Sequence, residues 1–201
     1  MLFFEPQQRD KSVFPHDPFK ALVVPRPIGW IATMSAKGEL NLAPYSYFNA
    51  FSSNPPIVGF SSEGEKDSST FAMETGEFVW SMATWDLRDP MNASAASLPR
   101  GQSEFAHARL ETAPSKLVKP PRVAASPASF ECRVTELVKL RDLEGRDSGR
   151  RLVLGLVVGV HIDERFVRAG RVDSAGMRPI ARGGYDEYSV VERVFSMPRP
   201  A

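Results

Sequence analysis

The chain has little sulfur chemistry to offer. Cys132 is its one cysteine, which excludes an intramolecular disulfide and a metal site built from several thiolates. A strand position packed like a small apolar residue is the expectation for it. Histidine is scarce as well: His16 and His107 fall in an expected loop and an expected insertion, solvated and without the paired spacing of metal ligands. Charge of one sign is missing, since Lys+Arg 25 against Asp+Glu 24 leaves a net charge of +1. That balance gives no strong field to attract nucleic acid or an anionic membrane, and a small-molecule partner is expected instead. No apolar run approaches a membrane span, and Met1 to Asp10 is too soon interrupted by Glu5, Pro6, Arg9 and Asp10 to read as a secretory signal. A soluble cytoplasmic protein follows as the expectation.

What is present fits one domain over residues 1–201, with a sizeable core, since 42% of the residues are hydrophobic. Asp17-Pro18-Phe19-Lys20-Ala21-Leu22 places an N-cap aspartate and a first-turn proline ahead of good helix formers. Ile28 to Met34 reads as a strand, Ser35 to Glu39 as a turn with Gly38 placed for positive φ, and Leu40 to Phe51 as the returning strand of a hairpin. Pro44 inside that second strand cannot donate to a ladder, which implies an edge or a bulge. After the turn Asn54-Pro55-Pro56, Ile57 to Ser61 is a third strand. Asp67 reads as the N-cap of a helix through Glu74 closed by Gly76, and Glu77 to Ala83 as a fourth strand with Phe78 and Trp80 on one face. Antiparallel strands with short helices predict a mainly β fold, a small β-barrel.

From about residue 86 to 121 the composition shifts to Ala, Ser, Arg and Pro, with weak helical stretches over Met91 to Ala96 and Ser103 to Leu110. This reads as a helical insertion crossing the barrel surface. Two long strands follow, Ala128 to Leu140 and Arg151 to Ile162, joined by a charged turn. Leu152 to Val160 is apolar on both faces, so both need cover, from the barrel and a helix or from a second subunit. The tail over about 172–201 is broken by Gly176, Pro179, Gly183, Gly184 and Pro198 and is expected to wrap the outside.

Two polar clusters interrupt these strands. Ser61 and Ser62 end one strand, and after a Glu63-Gly64-Glu65 turn Lys66-Asp67-Ser68-Ser69 opens a helix. Free N–H groups, the positive end of the helix dipole and the Lys66 charge together make an anion site suited to phosphate. A plain helix cap with a solvated lysine explains the same residues and is the commoner arrangement. In Asn41-Leu42-Ala43-Pro44-Tyr45-Ser46-Tyr47-Phe48-Asn49, the proline frees backbone groups from the ladder while aromatics surround Ser46 and Asn49. Flat polar rings need that combination of edge hydrogen bonds and apolar faces, though an edge strand with a bulge accounts for it too.

Taken in order, Arg26-Pro27-Ile28-Gly29-Trp30-Ile31-Ala32-Thr33, the Asn41 to Asn49 segment, Pro55 to Ser61 and Lys66-Asp67-Ser68 resemble the successive blocks of the flavin reductase-like family of FMN-binding split barrels. The resemblance extends to Gly155 to His161 and to Pro179-Ile180-Ala181-Arg182-Gly183-Gly184-Tyr185. It implies a Greek-key antiparallel split barrel, assembled as a homodimer with one FMN per subunit. By analogy Thr33 and the Ala43, Pro44, Tyr45 and Ser46 backbone contact the isoalloxazine, and Asn49 lies near the ribityl chain or ring edge. Ser61, Ser62, Lys66, Asp67 and Ser68 surround the phosphate, and Arg182 matches an arginine that reaches the cofactor region. Relatives commonly read Ala-Arg-Leu-Gly-Gly, whereas Gly183 follows Arg182 directly here. Relatives that use a nicotinamide often carry Gly-Asp-His where this chain has Gly159-Val160-His161, so a structural or surface role is expected for His161 ahead of nicotinamide binding.

The function so implied is a flavin reductase in which NADH or NADPH gives a hydride to bound flavin, with FAD an alternative turnover substrate. No side chain is nominated as a general acid or base, because the cofactor carries the chemistry. The reduced flavin would serve a monooxygenase or another redox protein. A flavoredoxin-like electron carrier and a flavin-binding module without turnover are the alternatives. Trp30, Trp80 and Trp85 are expected in core or interface, and Arg100, Arg109 and Arg122 on a solvated face.

Overall fold

Two consecutive strands that end up on opposite edges of one sheet force that sheet to curl. The computed structural model, which describes residues 1–200, is built this way. Its elements in chain order begin with α1 (Phe19–Leu22), β1 (Arg26–Pro27), β2 (Gly29–Met34), β3 (Leu40–Tyr45), β4 (Phe48–Ser53), β5 (Pro56–Glu63), α2 (Asp67–Thr75) and β6 (Glu77–Ser81). The insertion then carries α3 (Arg88–Ala93), α4 (Glu104–His107) and β7 (Thr112–Ala113), followed by β8 (Arg122–Val123). The long strands are β9 (Ala128–Arg141) and β10 (Asp147–Ile162), and the remainder is β11 (Val167–Arg168), β12 (Arg171–Val172), β13 (Ile180–Arg182) and β14 (Tyr188–Val190). The main sheet runs β3-β2-β6-β9-β10-β5-β4, antiparallel throughout.

The expected hairpin strand from Leu40 to Phe51 is corrected here. It breaks at Ser46 and Tyr47, and its second half leaves β2 to pair with β5 on the opposite edge. The cause is packing: Phe48 turns inward and stacks on Trp80 with ring centroids 5.6 Å apart and planes at 6°. The crossing is so close that a Cβ on Gly29 would lie 2.7 Å from the Phe48 Cβ. Pro44 stays on an edge strand, as its missing N–H requires.

Each face of the sheet carries a buried cluster. Ile31, Phe48, Phe60, Phe78, Trp80, Cys132 and Val153 fill the barrel interior. Trp30, Ala32, Leu42 and Val79 on the other face pack under Met91, Phe105 and Val118 of the insertion, with Val123 and Ile180. The insertion is therefore a second layer of core. Cys132 sits as expected, fully buried in β9, where burial pushes its thiol far above the ordinary range. The tail does more than wrap: β13 pairs with β1 and β14 in a separate three-stranded sheet. On β10, Leu152, Leu154 and Leu156 are only half-buried and Val160 is 57% exposed.

Two helix starts differ in detail from expectation. Asp17 does accept the Phe19 N–H at 2.9 Å, but the helix itself begins at Phe19. For α2 the N-cap is Lys66, with extended backbone, and Asp67 is the first helical residue. The Asp67 side chain does not fold back on the helix because Arg100 holds it. Gly76 closes α2 with φ +72° and its N–H on the Ala72 carbonyl, as the sequence implies.

One buried carboxylate fastens the insertion to the sheet. Glu131 on β9 is fully buried and accepts the backbone N–H groups of Lys116 (2.8 Å), Leu117 (2.6 Å) and Val118 (3.2 Å). Its fourth partner is His161 Nε2 at 2.5 Å, which gives that histidine the structural role expected of it. Burial pushes the carboxyl up, but His161 and the N–H groups of Lys116 and Leu117 outweigh it and hold the group below its ordinary value. A depressed carboxyl adds stability above its unfolded pKa and loses it as pH falls through the folded value. Replacing Glu131 with Gln is expected to cost about 1–3 kcal/mol at neutral pH. Urea melts between pH 7 and 3 should show a shallower loss of stability in the variant than in the wild type.

Candidate functional site

The start of α2 and the edge strand β3 face each other across a cavity of about 480 Å³. Ala43, Pro44 and Tyr45 form one wall, Lys66, Asp67 and Ser68 another, and Ser94 to Leu98 of the insertion the third. The edge-strand geometry decides what β3 presents. Leu42 donates its outward N–H to Glu104 Oε2 at 2.9 Å. Groups alternate in direction along a strand, so Pro44 holds the next outward position, and it has no N–H to give. Beyond Glu104 the edge therefore offers carbonyl oxygens beside an aromatic ring.

The helix end supplies the opposite polarity. The first-turn N–H groups of α2 and the Lys66 side chain bring hydrogen-bond donors to this corner. Ser68, buried, donates its hydroxyl to Asn41 Oδ1 at 2.5 Å, and Asn41 Nδ2 donates to Glu104 Oε1 at 3.2 Å. Burial raises the Tyr45 phenol above its ordinary value; the Ser68 and Ser62 hydroxyls beside it pull the other way, and the charges of Glu104 and Asp67 add to the rise. Asp67 is paired by Arg100, whose Nη2 lies 2.7 Å and Nε 3.0 Å from Oδ1.

The residues anticipated from sequence thus divide. Ala43, Pro44, Tyr45, Lys66, Asp67 and Ser68 come together in this cavity. Ser46, Asn49 and Ser61 line a neighbouring hollow of about 450 Å³ with Arg26 and Tyr47, across the Ser46–Tyr47 junction. Thr33 and Ser62 are buried below the surface, and neither hydroxyl has a hydrogen-bond partner. Arg182 lies elsewhere, in a hollow with Trp85 and Tyr188. Its guanidinium bonds the Tyr185 carbonyl and sits 4.6 Å over the Tyr188 ring. Trp30 and Trp80 are core residues, while Trp85 is 39% exposed beneath Arg88 and Arg178.

The sequence assigns no separate role to Asn41, Glu104 or Arg26, while Arg100 lies on a solvated face as expected and there pairs with Asp67. Arg26 is buried, with its guanidinium on the Val23 carbonyl at 2.6 Å and the Gly183 carbonyl at 2.7 Å. Asn41 did carry a signal, being polar at a core-facing position between apolar neighbours. Glu104 carried none, since its partners are 62 and 63 residues away. Among the described residues no group of His, Cys, Asp and Glu could hold a metal ion, and no helix is long and apolar enough to cross a membrane.

A family model described as the flavin reductase like domain matches residues 21–174. A protein of Deinococcus radiodurans is 37% identical over 192 residues, which cover 89% of this chain and 82% of that one. The crystal structure of nitrilotriacetate monooxygenase component B from Bacillus cereus superposes with a TM-score of 0.87 at 30% identity, over 98% of each chain. That of the 2-nitrobenzoate 2-nitroreductase of Pseudomonas fluorescens does so with a TM-score of 0.84 over 100% of this chain and 96% of that one; at 22% identity it shares the fold.

Just past the cavity's third wall, Arg100 ties the segment to Asp67. Replacing Arg100 with Ala should change global stability by less than about 1 kcal/mol. Limited proteolysis should nevertheless cut the variant faster than the wild type between residues 94 and 103, because local opening costs less than unfolding.

Proposed function

The chain belongs to the flavin reductase-like family, and from that premise we propose that it binds FMN and passes a hydride from NADH or NADPH to the flavin. The observation that carries this reading is the single cavity in which the donor-free edge at Pro44 faces the donor-rich start of α2. An apolar strand edge with exposed carbonyls suits a flat ring that has its own N–H, and a helix start with a lysine suits a phosphate. Lys66 and the first-turn N–H groups would hold the phosphate. Ala43, Pro44 and Tyr45 would border the ring, while Ser46, Asn49 and Ser61 flank it from the adjoining hollow.

When bound, the flavin supplies the hydride-accepting chemistry. The chain's task is to orient the ring and keep one face open to the nicotinamide. Thr33 and Ser62, buried with unspent hydroxyls, mark a polar interior beneath the site that a purely structural barrel would not need. We further propose a homodimer: the half-covered apolar face of β10, where Val160 is 57% exposed, together with Phe51 of β4, 55% exposed, offers an apolar surface to a second copy of the chain. FAD is an alternative turnover substrate. The relative named as a monooxygenase component supports an oxygenase, or another redox protein, as consumer of the reduced flavin.

Anaerobic mixing of the flavin-loaded protein with NADH and with NADPH tests the activity. Bleaching of the visible flavin band at catalytic rates with at least one donor is expected, and no bleaching with either overturns the reductase reading. Flavin that stays bound on gel filtration after reduction would favour the electron carrier instead. Lys66→Ala is expected to lose on the order of 1.5–3 kcal/mol of FMN affinity, about 10- to 150-fold, by fluorescence titration. Affinity for riboflavin, which lacks the phosphate, should be unchanged.

A further inference from the structure

We infer that Asn41 is a positioning residue for the phosphate end of the cavity, clamped by Glu104 of the insertion and acting through Ser68; this rests on the FMN reading above. The polarity of the chain of hydrogen bonds carries it. A carboxylate only accepts, so Glu104 draws the Asn41 amide nitrogen to itself across 3.2 Å. The Asn41 oxygen must then face Ser68, and the Ser68 hydroxyl must spend its one hydrogen on it, across 2.5 Å. All three side chains are more than nine-tenths buried, so water does not compete for these bonds.

Two consequences follow. Ser68 has no hydrogen left for a phosphate, which accepts and does not donate. Its task is to pin the first turn of α2 to β3, so that the N–H groups of that turn stay aimed at the anion. The insertion also gains a purpose: Glu104 fixes this network from one side, and Arg100 holds Asp67 from the other. Both act on the same helix start.

The test is a double-mutant cycle with Asn41→Ala and Ser68→Ala, neither of which changes a charge. FMN and riboflavin dissociation constants are read by flavin fluorescence quenching. Each single variant should weaken FMN about tenfold or more and riboflavin less than about threefold. The double variant should be no weaker than the worse single variant by more than about threefold, since both remove one linkage. FMN affinity in Asn41→Ala within threefold of wild type overturns the inference. So does an equal loss for riboflavin, which would mean a general loosening of the fold, and so does full additivity, which would mean that Ser68 meets the phosphate itself. Where Asn41→Ala fails to fold, the nearly isosteric Asn41→Leu, which cannot accept from Ser68, takes its place and is read against the same outcomes. A wild-type protein that binds neither flavin defeats the FMN reading itself, and is told apart from these outcomes by the first titration.

Discussion

Everything at the candidate site depends on one topological constraint: β3 and β4 are separated by Ser46 and Tyr47, yet lie at opposite edges of the sheet. The sheet has to curl through its five inner strands until those edges meet. The meeting point is held by packing more than by ladder bonds. The Ser61 N–H reaches the Tyr47 carbonyl at 2.8 Å, and inside it the Phe48 ring lies flat on Trp80. Such a seam leaves β3 without a second neighbour. Its outward groups are then available to a ligand, which a closed ladder would have consumed.

Two buried glutamates convert this open seam into a defined site. Glu104 takes an N–H from β3 itself, and Glu131 takes three from the segment leading out of the insertion. Each carboxylate is buried only because it is matched by several N–H donors, which offset a desolvation cost of several kcal/mol per ion. They act at opposite ends of the same layer: α3 and α4 lie over β3, while Lys116 to Val118 lie over β9. A layer anchored at one end alone would leave Met91, Phe105 and Val118 free to shift against the sheet, and with them the cavity wall at Ser94 to Leu98.

Much of this was legible in sequence because it is local. The Ser35 to Glu39 turn, the edge placement of Pro44, the Gly76 helix stop and the alternation of Phe78 and Trp80 each follow from a few neighbouring residues. The break of the Leu40 to Phe51 strand was not legible, since the inward turn of Phe48 depends on Trp80 and Gly29, which are distant in the chain. The same holds at the site. Lys66-Asp67-Ser68 announces a helix start, but which atom each side chain engages is decided by Arg100, Asn41 and Glu104, brought in by the fold. Ser68 shows the difference most clearly: its residue type suggests a phosphate donor, and its hydrogen is already committed.

The charges around the start of α2 set how an anion can be held there. Lys66 and Arg100 are opposed by Asp67 and Glu104, so the corner is close to neutral, in keeping with the net charge of +1 for the whole chain. A lone cation 4 Å from a phosphate charge is worth about 4 kcal/mol at an effective dielectric of 20. Two carboxylates within the same region cancel much of that at longer range. For the phosphate proposed there, what would survive the cancellation is short-range: a Lys66 contact and the first-turn N–H groups, with a helix-dipole contribution of about 0.3–1 kcal/mol that falls off within a turn. Recognition built on short-range contacts depends on the exact seat of the helix end. That dependence makes the buried link from Glu104 through Asn41 to Ser68 matter more here than it would beside a strongly basic pocket.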